Sequence, residues 1–422
     1  MFQRIGDNSK FNLFYHSTNK FKTTTMRLFF KGSLSDHVEE QALLPSLLKR
    51  GSVRFPSLKD ISRYLEALYG SGLSLDIAKM GEMQVFAVTM DMVNPRFIHG
   101  QPEILINGVK MMNDLLLNPL LEKGCFPKIR FEQERDHLQR YVKSVIDDKA
   151  VYTHIRLIKE MFKDEPYGNY EWGNLDKIPG LKSEDVYTFY KRLLATAPVD
   201  VYIVGHLTAE EERALPCILL PFEERFETID PPETMKKTVK QENTIEEEQP
   251  VEQSKVEMGF RVNVKPDEDD FYALVLFNSI LGGGAFSKLF KKVREEESMA
   301  YYIHSAYEKL KGFLYVSAGI NTGNFAKVTD LVRKCMEEIK NGKISDEEFH
   351  NAKKSILNSL RSIADNPGQI IDFDFIAKSA GQKTDIQHIS AIIDGMTKKQ
   401  VAGVSDLIVP GTTFFLKGTG IR

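Results

Sequence analysis

Only three cysteines occur in 422 residues, Cys125, Cys217 and Cys335, far apart and odd in number. They form no CxxC pair and no disulfide framework, which argues against a stapled secreted scaffold. Incidental or buried thiols in a reducing compartment are the simplest account, so the expected location is the cytoplasm. No run of about 18 apolar residues exists, leaving no candidate membrane span. The opening MFQRIGDNSK has no apolar stretch behind its charges, so no secretory signal is read there. An excess of one charge is also missing. With 56 basic and 59 acidic residues, net -3, there is no basic footprint for nucleic acid.

Catalytic motifs are equally scarce. There is no Walker loop and no nucleophile elbow, and the nine histidines form neither H-E-x-x-H nor H-x-x-E-H. The nearest miss is His37-Val38-Glu39-Glu40-Gln41, where glutamine, a poor zinc ligand, fills the second histidine place. Gly282-Gly283-Gly284 follows a helical pattern and lacks G-x-G-x-x-G spacing, so it reads as no dinucleotide site.

What is present is a globular composition, 42% hydrophobic and 27% charged, on a chain too long for one ordinary core. Two or more domains are expected. Alternating segments predict strands over Lys10–Thr18, Lys22–Phe30, Ser74–Ala78, Gln84–Met90 and Val199–Val204. Apolar periodicity predicts a helix capped by Asp36 and ended by Gly51, and a second through Ile61 to Leu68. Further helices are predicted from Pro95 to about Leu117, from Pro127 to Ile146, on through Met161, and from a Ser183 cap to Leu194. Phe222–Gln253 then holds Asp230-Pro231-Pro232 and Glu246-Glu247-Glu248 with few large apolar residues, and reads as a polar linker.

After the linker the pattern starts again. Ser254–Val264 and Phe313–Gly319 read as strands, and Asp270–Leu281, Asn324–Ile339 and Asp346–Ala364 as helices. Phe131, Lys143, Ser144 and Asp147 line up with Phe349, Arg361, Ser362 and Asp365 at one constant offset. Each half also closes alike, in Val199–Gly205 and Thr412–Gly418. The expectation is an α+β fold of two homologous domains, 1–221 and 254–422, joined by the linker 222–253. Each would be a mainly antiparallel sheet flanked by helices.

One stretch stands apart, Leu281–Tyr302, reading LGGGAFSKLFKKVREEESMAYY. Three glycines break an apolar helix, a basic amphipathic helix follows, and a Tyr-Tyr pair opens a strand. Arg294 and Tyr301 have two readings on residues alone. They are either surface and strand-start residues, or a spaced pair of donors held for binding.

These features resemble the insulinase and mitochondrial processing peptidase family, inverzincin metallopeptidases of the pitrilysin clan. The strings that carry the resemblance are Gly32-Ser33, ALLPSLLKRGS (Ala42–Ser52), YLEALYGSGL (Tyr64–Leu73), FEQERD (Phe131–Asp136), PYGNYEWG (Pro166–Gly173) and the Leu281 stretch. It spans essentially the whole chain and implies the LuxS/processing-peptidase-like metallohydrolase fold. Peptide-cutting members carry H-x-x-E-H, with a distant Glu as third zinc ligand. The resemblance puts the two histidine places on Ala42 and Ser46, the general base on Pro45 and the third ligand on Tyr141. Alanine and proline offer no ligand atom, serine is a poor ligand, and tyrosine cannot rebuild the site. No metal and no cofactor are therefore expected in this chain.

Active members also use an Arg and a Tyr in the C-terminal half, spaced as Arg294 and Tyr301 are here. By the resemblance these donate to the substrate backbone and the developing oxyanion. The glycine often found just before this tyrosine is Ser298 here. Some bacterial members divide the work between a zinc-holding chain and a chain that keeps the Arg/Tyr pair. This chain is similar to the second kind, and within it to the zinc-less member of a Firmicutes pair associated with aminopentanol modification of elongation factor P. The implied function is a non-catalytic, substrate-positioning subunit of a heterodimeric zinc peptidase. Its partner would be a homologous chain with intact H-x-x-E-H, its substrate a peptide or small protein held as an added strand. Two alternatives stay open: a catalytically silent scaffold of the same fold, and an independent enzyme whose site shows no motif.

Overall fold

The computed structural model describes residues 2–5, 11–100, 103–221, 242–266, 268, 270–382 and 385–420. The first half carries strands β1 (Gln3–Arg4), β2 (Asn12–Ser17), β3 (Thr23–Ser33), β4 (Gly72–Met80), β5 (Met83–Val93) and β6 (Val199–Gly205). Its helices are α1 (Val38–Lys49), α2 (Leu58–Ala67), α3 (Ile104–Leu117), α4 (Lys128–Asp147), α5 (Lys149–Met161), α6 (Ser183–Thr196) and α7 (Ala209–Ile218). The second half carries β7 (Asn243–Gln249), β8 (Ser254–Val262), β9 (Ala300–Glu308), β10 (Phe313–Ile320) and β11 (Ile408–Gly418). With these go α8 (Asp270–Gly282), α9 (Phe325–Lys340), α10 (Asp346–Ile363), α11 (Pro367–Ser379), α12 (Ile386–Gly395) and α13 (Lys398–Gly403). No helix among the described residues is long and apolar enough to cross a membrane.

The chain divides into two compact units, each with one sheet, but not at the expected boundaries. The first unit is Met1–Ser144, Asn169–Glu233 and Asn366–Asp374; the second is Val145–Gly168, Thr234–Asp365 and Phe375–Arg422. Each unit thus holds a short segment from the other half of the sequence. One segment begins in the last turn of α4, and the other follows α10.

In the first unit the strand order is β1-β2-β6-β3-β5-β4, antiparallel except for the β2–β6 pair. Leu28 and Phe30 of β3 and Phe86 and Val88 of β5 form one buried core with Leu43, Leu44, Leu47 and Leu48 of α1. Each such side chain contributes about 1.5–3 kcal/mol on burial. This packing fixes which face of α1 is left for other work. Gly51 ends the helix at φ +133, where an added Cβ would lie 2.5 Å from the Phe55 carbonyl oxygen. The segment Asn366–Asp374 reaches this unit's sheet through an Arg27–Asp372 ion pair at 2.5 Å.

Several local expectations are corrected. The cap of α1 is His37, not Asp36. It adopts a left-handed φ of 57, its Nδ1 lies 3.1 Å from Glu40 Oε1, and its ring stacks on Phe189. Pro95 opens only a 3-10 turn, Pro95–Phe97, and the helix itself begins at Ile104. Lys182 rather than Ser183 caps α6, because the Ser183 hydroxyl donates instead to the Phe126 carbonyl at 2.8 Å.

In the second unit the order is β7-β11-β8-β10-β9. Here the expected linker is corrected in part. Asn243–Gln249 is an edge strand running parallel to β11, with its glutamates on alternately exposed positions. Of the rest, 222–241 lies outside the described residues. The apolar face of α5 packs on this sheet, Leu157, Ile158 and Met161 against Phe313, Phe414 and Leu416. Just beyond α5, the fully buried Lys311 ammonium and the Arg261 guanidinium meet Glu165 at 2.7 and 2.5 Å. Burial alone would raise the Glu165 carboxyl. Hydrogen bonds from Arg261 and Lys311, with their charges, outweigh it and hold the group below the ordinary carboxylate range. The glycine break after α8 has a steric cause: a Cβ on Gly282 would come 2.4 Å from the Ser305 amide of β9.

Candidate functional site

The first unit contains a cavity of about 1340 Å³ between α1, α4, edge strand β4 and the loop carrying Trp172. Ala42, Pro45 and Ser46 occupy i, i+3 and i+4 of α1 and so share one helical face. Tyr141 comes from α4, and all four residues line this one cavity. The sequence positions assigned to lost metal chemistry are therefore brought together in space.

Their chemistry does not fit zinc. Ala42 and Pro45 are buried without a donor atom, and Ser46 Oγ donates to the Leu43 carbonyl at 3.0 Å. Tyr141 packs its ring edge-to-face on Trp172, with centroids 5.0 Å apart. Its hydroxyl bonds Tyr170, whose phenol is raised chiefly by burial, then by the Glu171 charge and by Tyr141 itself. The buried carboxylate nearby, Glu134, is already neutralised by an ion pair with Arg50, and His137 Nδ1 lies 3.6 Å from its other oxygen. Among the described residues no group of three or more His, Cys, Asp or Glu side chains is placed to hold a metal ion.

Sequence reasoning missed the residues that shape this cavity: Trp172, Arg50, Glu134 and Arg140. The single tryptophan inside a turn string was the one available signal. The Trp172 loop is held against α1 by two contacts. The Asn174 amide donates to Glu39 Oε1 at 2.9 Å, and Gln84 Nε2 of β5 reaches both the Glu171 and Val38 carbonyls, at 2.6 and 2.9 Å. The loop position thus comes from backbone accounting rather than from apolar packing alone.

Arg294 and Tyr301 lie in the second unit, on a backbone unlike the expected amphipathic α-helix. Phe290–Glu296 is a π-helix, with the Glu297 amide donating to the Lys292 carbonyl at 3.1 Å. Ser298 follows in the left-handed region at φ 52, the conformation that glycine adopts freely. The register of β9 on β10 then shifts. Gly319 faces Tyr302 and Ile320 faces Ala300, which leaves Tyr301 as the bulged residue. Arg294 is exposed with its guanidinium 4.9 Å from the Phe290 ring centroid. Tyr301 is 58% exposed, and its hydroxyl donates to Asn321 Oδ1 at 2.9 Å.

Residues 180–356 match the family model described as "Peptidase M16 inactive domain". Over 403 residues the chain is 31% identical to "Probable inactive metalloprotease YmfF" of Bacillus subtilis (strain 168), covering 95% of this chain and 94% of that protein. A crystal structure of a conserved protein from Enterococcus faecalis V583 superposes at TM-score 0.93 and 25% identity, over 100% of this chain and 99% of that one. The crystal structure described as the peptidase M16 inactive domain from Pseudomonas fluorescens shares the fold at TM-score 0.80 and 16% identity, over 100% and 99% of the two chains. The chain belongs to the M16, insulinase-type metallopeptidase family, as a member without the zinc motif.

Proposed function

We propose that this chain is the non-catalytic, substrate-positioning subunit of a heterodimeric zinc metallopeptidase of the processing-peptidase type, working in the cytoplasm. A homologous partner with intact H-x-x-E-H holds the zinc, and this chain contributes Arg294 and Tyr301. The observation that carries the reading is the exposure of these two side chains on a run of uncommon backbone: π-helix, left-handed Ser298 and a bulge at Tyr301. A guanidinium and a phenol both donate to a peptide carbonyl gaining charge, and such donors are strongest in a site shielded from water.

The test mixes this chain with a homologous zinc-binding chain and follows peptide cleavage. Each chain alone is expected to be inert. Losing one such donor typically costs about 10²–10³ in rate, so Arg294→Ala and Tyr301→Phe should lower kcat of the mixture by that order. Full activity of the Arg294→Ala mixture overturns the proposal. The second reading, a silent scaffold, draws on the intramolecular partners of the pair, Asn321 for Tyr301 and Phe290 for Arg294. It requires peptide binding by the mixture that neither substitution alters.

A further inference from the structure

We propose that Asn321 is the positioning residue of Tyr301: it holds the phenol in place and, by turning its amide, frees the phenolic hydrogen for a substrate carbonyl. The inference rests on the peptidase reading above and deepens it, since that reading leaves the control of Tyr301 unassigned. Tyr301 is 58% exposed, yet its hydroxyl donates to Asn321 Oδ1 at 2.9 Å. Asn321 follows the end of β10 and occupies the cap position of the 3-10 turn Thr322–Asn324. Asparagine is favoured at such caps because its side chain satisfies the first free amides. Here it makes no cap bond, and the side chain goes to Tyr301 instead.

The turn that carries Asn321 is well fastened. Asn324 Nδ2 donates to the Met299 carbonyl at 3.2 Å, and the Asn324 amide closes the turn on the Asn321 carbonyl at 2.9 Å. The Thr322 hydroxyl donates to the Gly418 carbonyl of β11 at 3.1 Å and lies 2.8 Å from the Ser254 hydroxyl of β8. Ser254 is fully buried and accepts from the Gly418 amide at 2.9 Å. Asn321 therefore stands on the ends of two sheet strands, and the bulged Tyr301 is tied to that support. Without the tie, an exposed ring keeps its rotamer freedom.

A phenol carries one hydrogen, and here Asn321 takes it. Tyr301 cannot donate that hydrogen to a peptide carbonyl while the bond holds. An asparagine resolves the conflict: turning its amide over presents Nδ2–H to the same phenol oxygen. The ring stays in place, its hydrogen points outward, and the two bonds in series polarise one another. An ionised carboxylate cannot do this, because it only accepts.

Two measurements test the assignment. Ring NMR of the isolated full-length chain with labelled tyrosine follows Tyr301, whose signal is identified by its loss in Tyr301→Phe. The ring should be as ordered as rigid backbone in the parent and in Asn321→Asp, and mobile in Asn321→Ala, with the other tyrosine signals unmoved. Peptide cleavage by the mixture with a homologous zinc-binding chain reads release of the hydrogen. Asn321→Ala should lower kcat roughly tenfold at unchanged KM, about the worth of one hydrogen bond. Asn321→Asp should fall further, toward the roughly 10²–10³-fold loss expected of Tyr301→Phe, although its ring is held. In the Tyr301→Phe background the aspartate should cost little, which separates the held hydrogen from the added charge. An asparagine that served only as an acceptor would give the reverse order, since aspartate keeps the acceptor. Unchanged ring order in Asn321→Ala overturns the inference, as does a kcat for Asn321→Asp at or above that of Asn321→Ala. An inactive mixture of unaltered chains defeats the peptidase reading instead, and ring order in the isolated chain then decides whether Asn321 holds Tyr301.

Discussion

The metal corner of the first unit and the Arg/Tyr stretch of the second are built in opposite ways. In the first, the positions that the resemblance assigns to zinc chemistry serve local structure. Ala42 and Pro45 are buried, Ser46 bonds its own helix, and Tyr141 packs on Trp172, all on α-helical backbone. In the second, three irregularities follow one another within twelve residues, Phe290 to Tyr301, and both candidate side chains stay exposed. A left-handed non-glycine residue such as Ser298 costs of order 1–3 kcal/mol and persists where the surroundings over-determine it. The contrast sets positions taken up in packing against exposed polar groups on irregular backbone. It supports the proposed division of labour.

That comparison needs a second unit rigid enough to hold its irregular stretch, and Glu165 measures this with the largest expected effect. Glu165→Gln leaves Arg261 and the fully buried Lys311 ammonium without their counter-charge. Breaking a buried pair in this way costs about 3–5 kcal/mol. Asp372→Asn in the first unit, where the carboxylate is 43% exposed, should cost less than about 1 kcal/mol. Urea unfolding of both variants checks the ratio, and a similar small loss in each would show the second unit to be loosely held. The wild-type pH profile adds a sign. The folded Glu165 pKa is depressed below 4.5, so its contribution is complete above that value. It is lost as pH falls through the depressed folded value, and Glu165→Gln should be flatter over that acid range.

The opposite corner can be challenged by restoring ligands. Ala42→His, Ser46→His and Tyr141→Glu together place three zinc ligands around a cavity those positions already share. Metal analysis should find about one zinc per chain in the triple variant and none in the parent. At a hundredfold excess of zinc over its Kd, binding stabilises the fold by about 2.7 kcal/mol. Failure to take up zinc would show that the corner has drifted out of ligand geometry, and that its likeness to a metal site is one of sequence position alone.

Pro45 is the first unit's exception to relaxation. It sits inside α1 and removes the helical bond to the Gln41 carbonyl. An interior proline costs about 3 kcal/mol relative to alanine, offset in part here by its burial. Pro45→Ala should therefore stabilise the chain by about 2 kcal/mol, read as a rise in melting temperature. A change under about 0.5 kcal/mol would mean that α1 has already absorbed the defect.

Much of this architecture could be read from residue patterns, and the failures have physical reasons. Lys22–Phe30 and Val199–Val204 read as strands, and both lie inside the sheet order as β3 and β6, with β6 buried at every position. The run Glu246-Glu247-Glu248 disguised β7, since an edge strand with one exposed face tolerates charge that an interior strand would not. The amphipathic pattern of α5 required a partner surface but could not say that the surface was the second sheet. Seven residues, Phe290–Glu296, are too few for periodicity to separate a π-helix from an α-helix. At the site, helical spacing placed Ala42, Pro45 and Ser46 together. The Arg50–Glu134 pair joins residues 84 positions apart and has no local signature.

The smallest expected effect bears most closely on the Arg/Tyr stretch. Ser298 holds a left-handed φ of 52, and the Met299 amide beyond it donates to the Val293 carbonyl at 2.8 Å. A side chain in that region costs roughly 1–2 kcal/mol, and glycine removes the cost. Glycine also adds about 0.5–1 kcal/mol of unfolded-state entropy, so Ser298→Gly should gain only about 0.5 kcal/mol. Activity should move the other way. Ser298 lies between Arg294 and Tyr301, so a freer hinge there widens the range of relative positions of the two donors. The mixture with the zinc-binding chain should lose kcat by a few-fold while the chain melts slightly higher. Stability and activity rising together would mean that serine is simply a poor fit at this turn. Opposed changes would mean that the strain holds Tyr301 where the chemistry needs it.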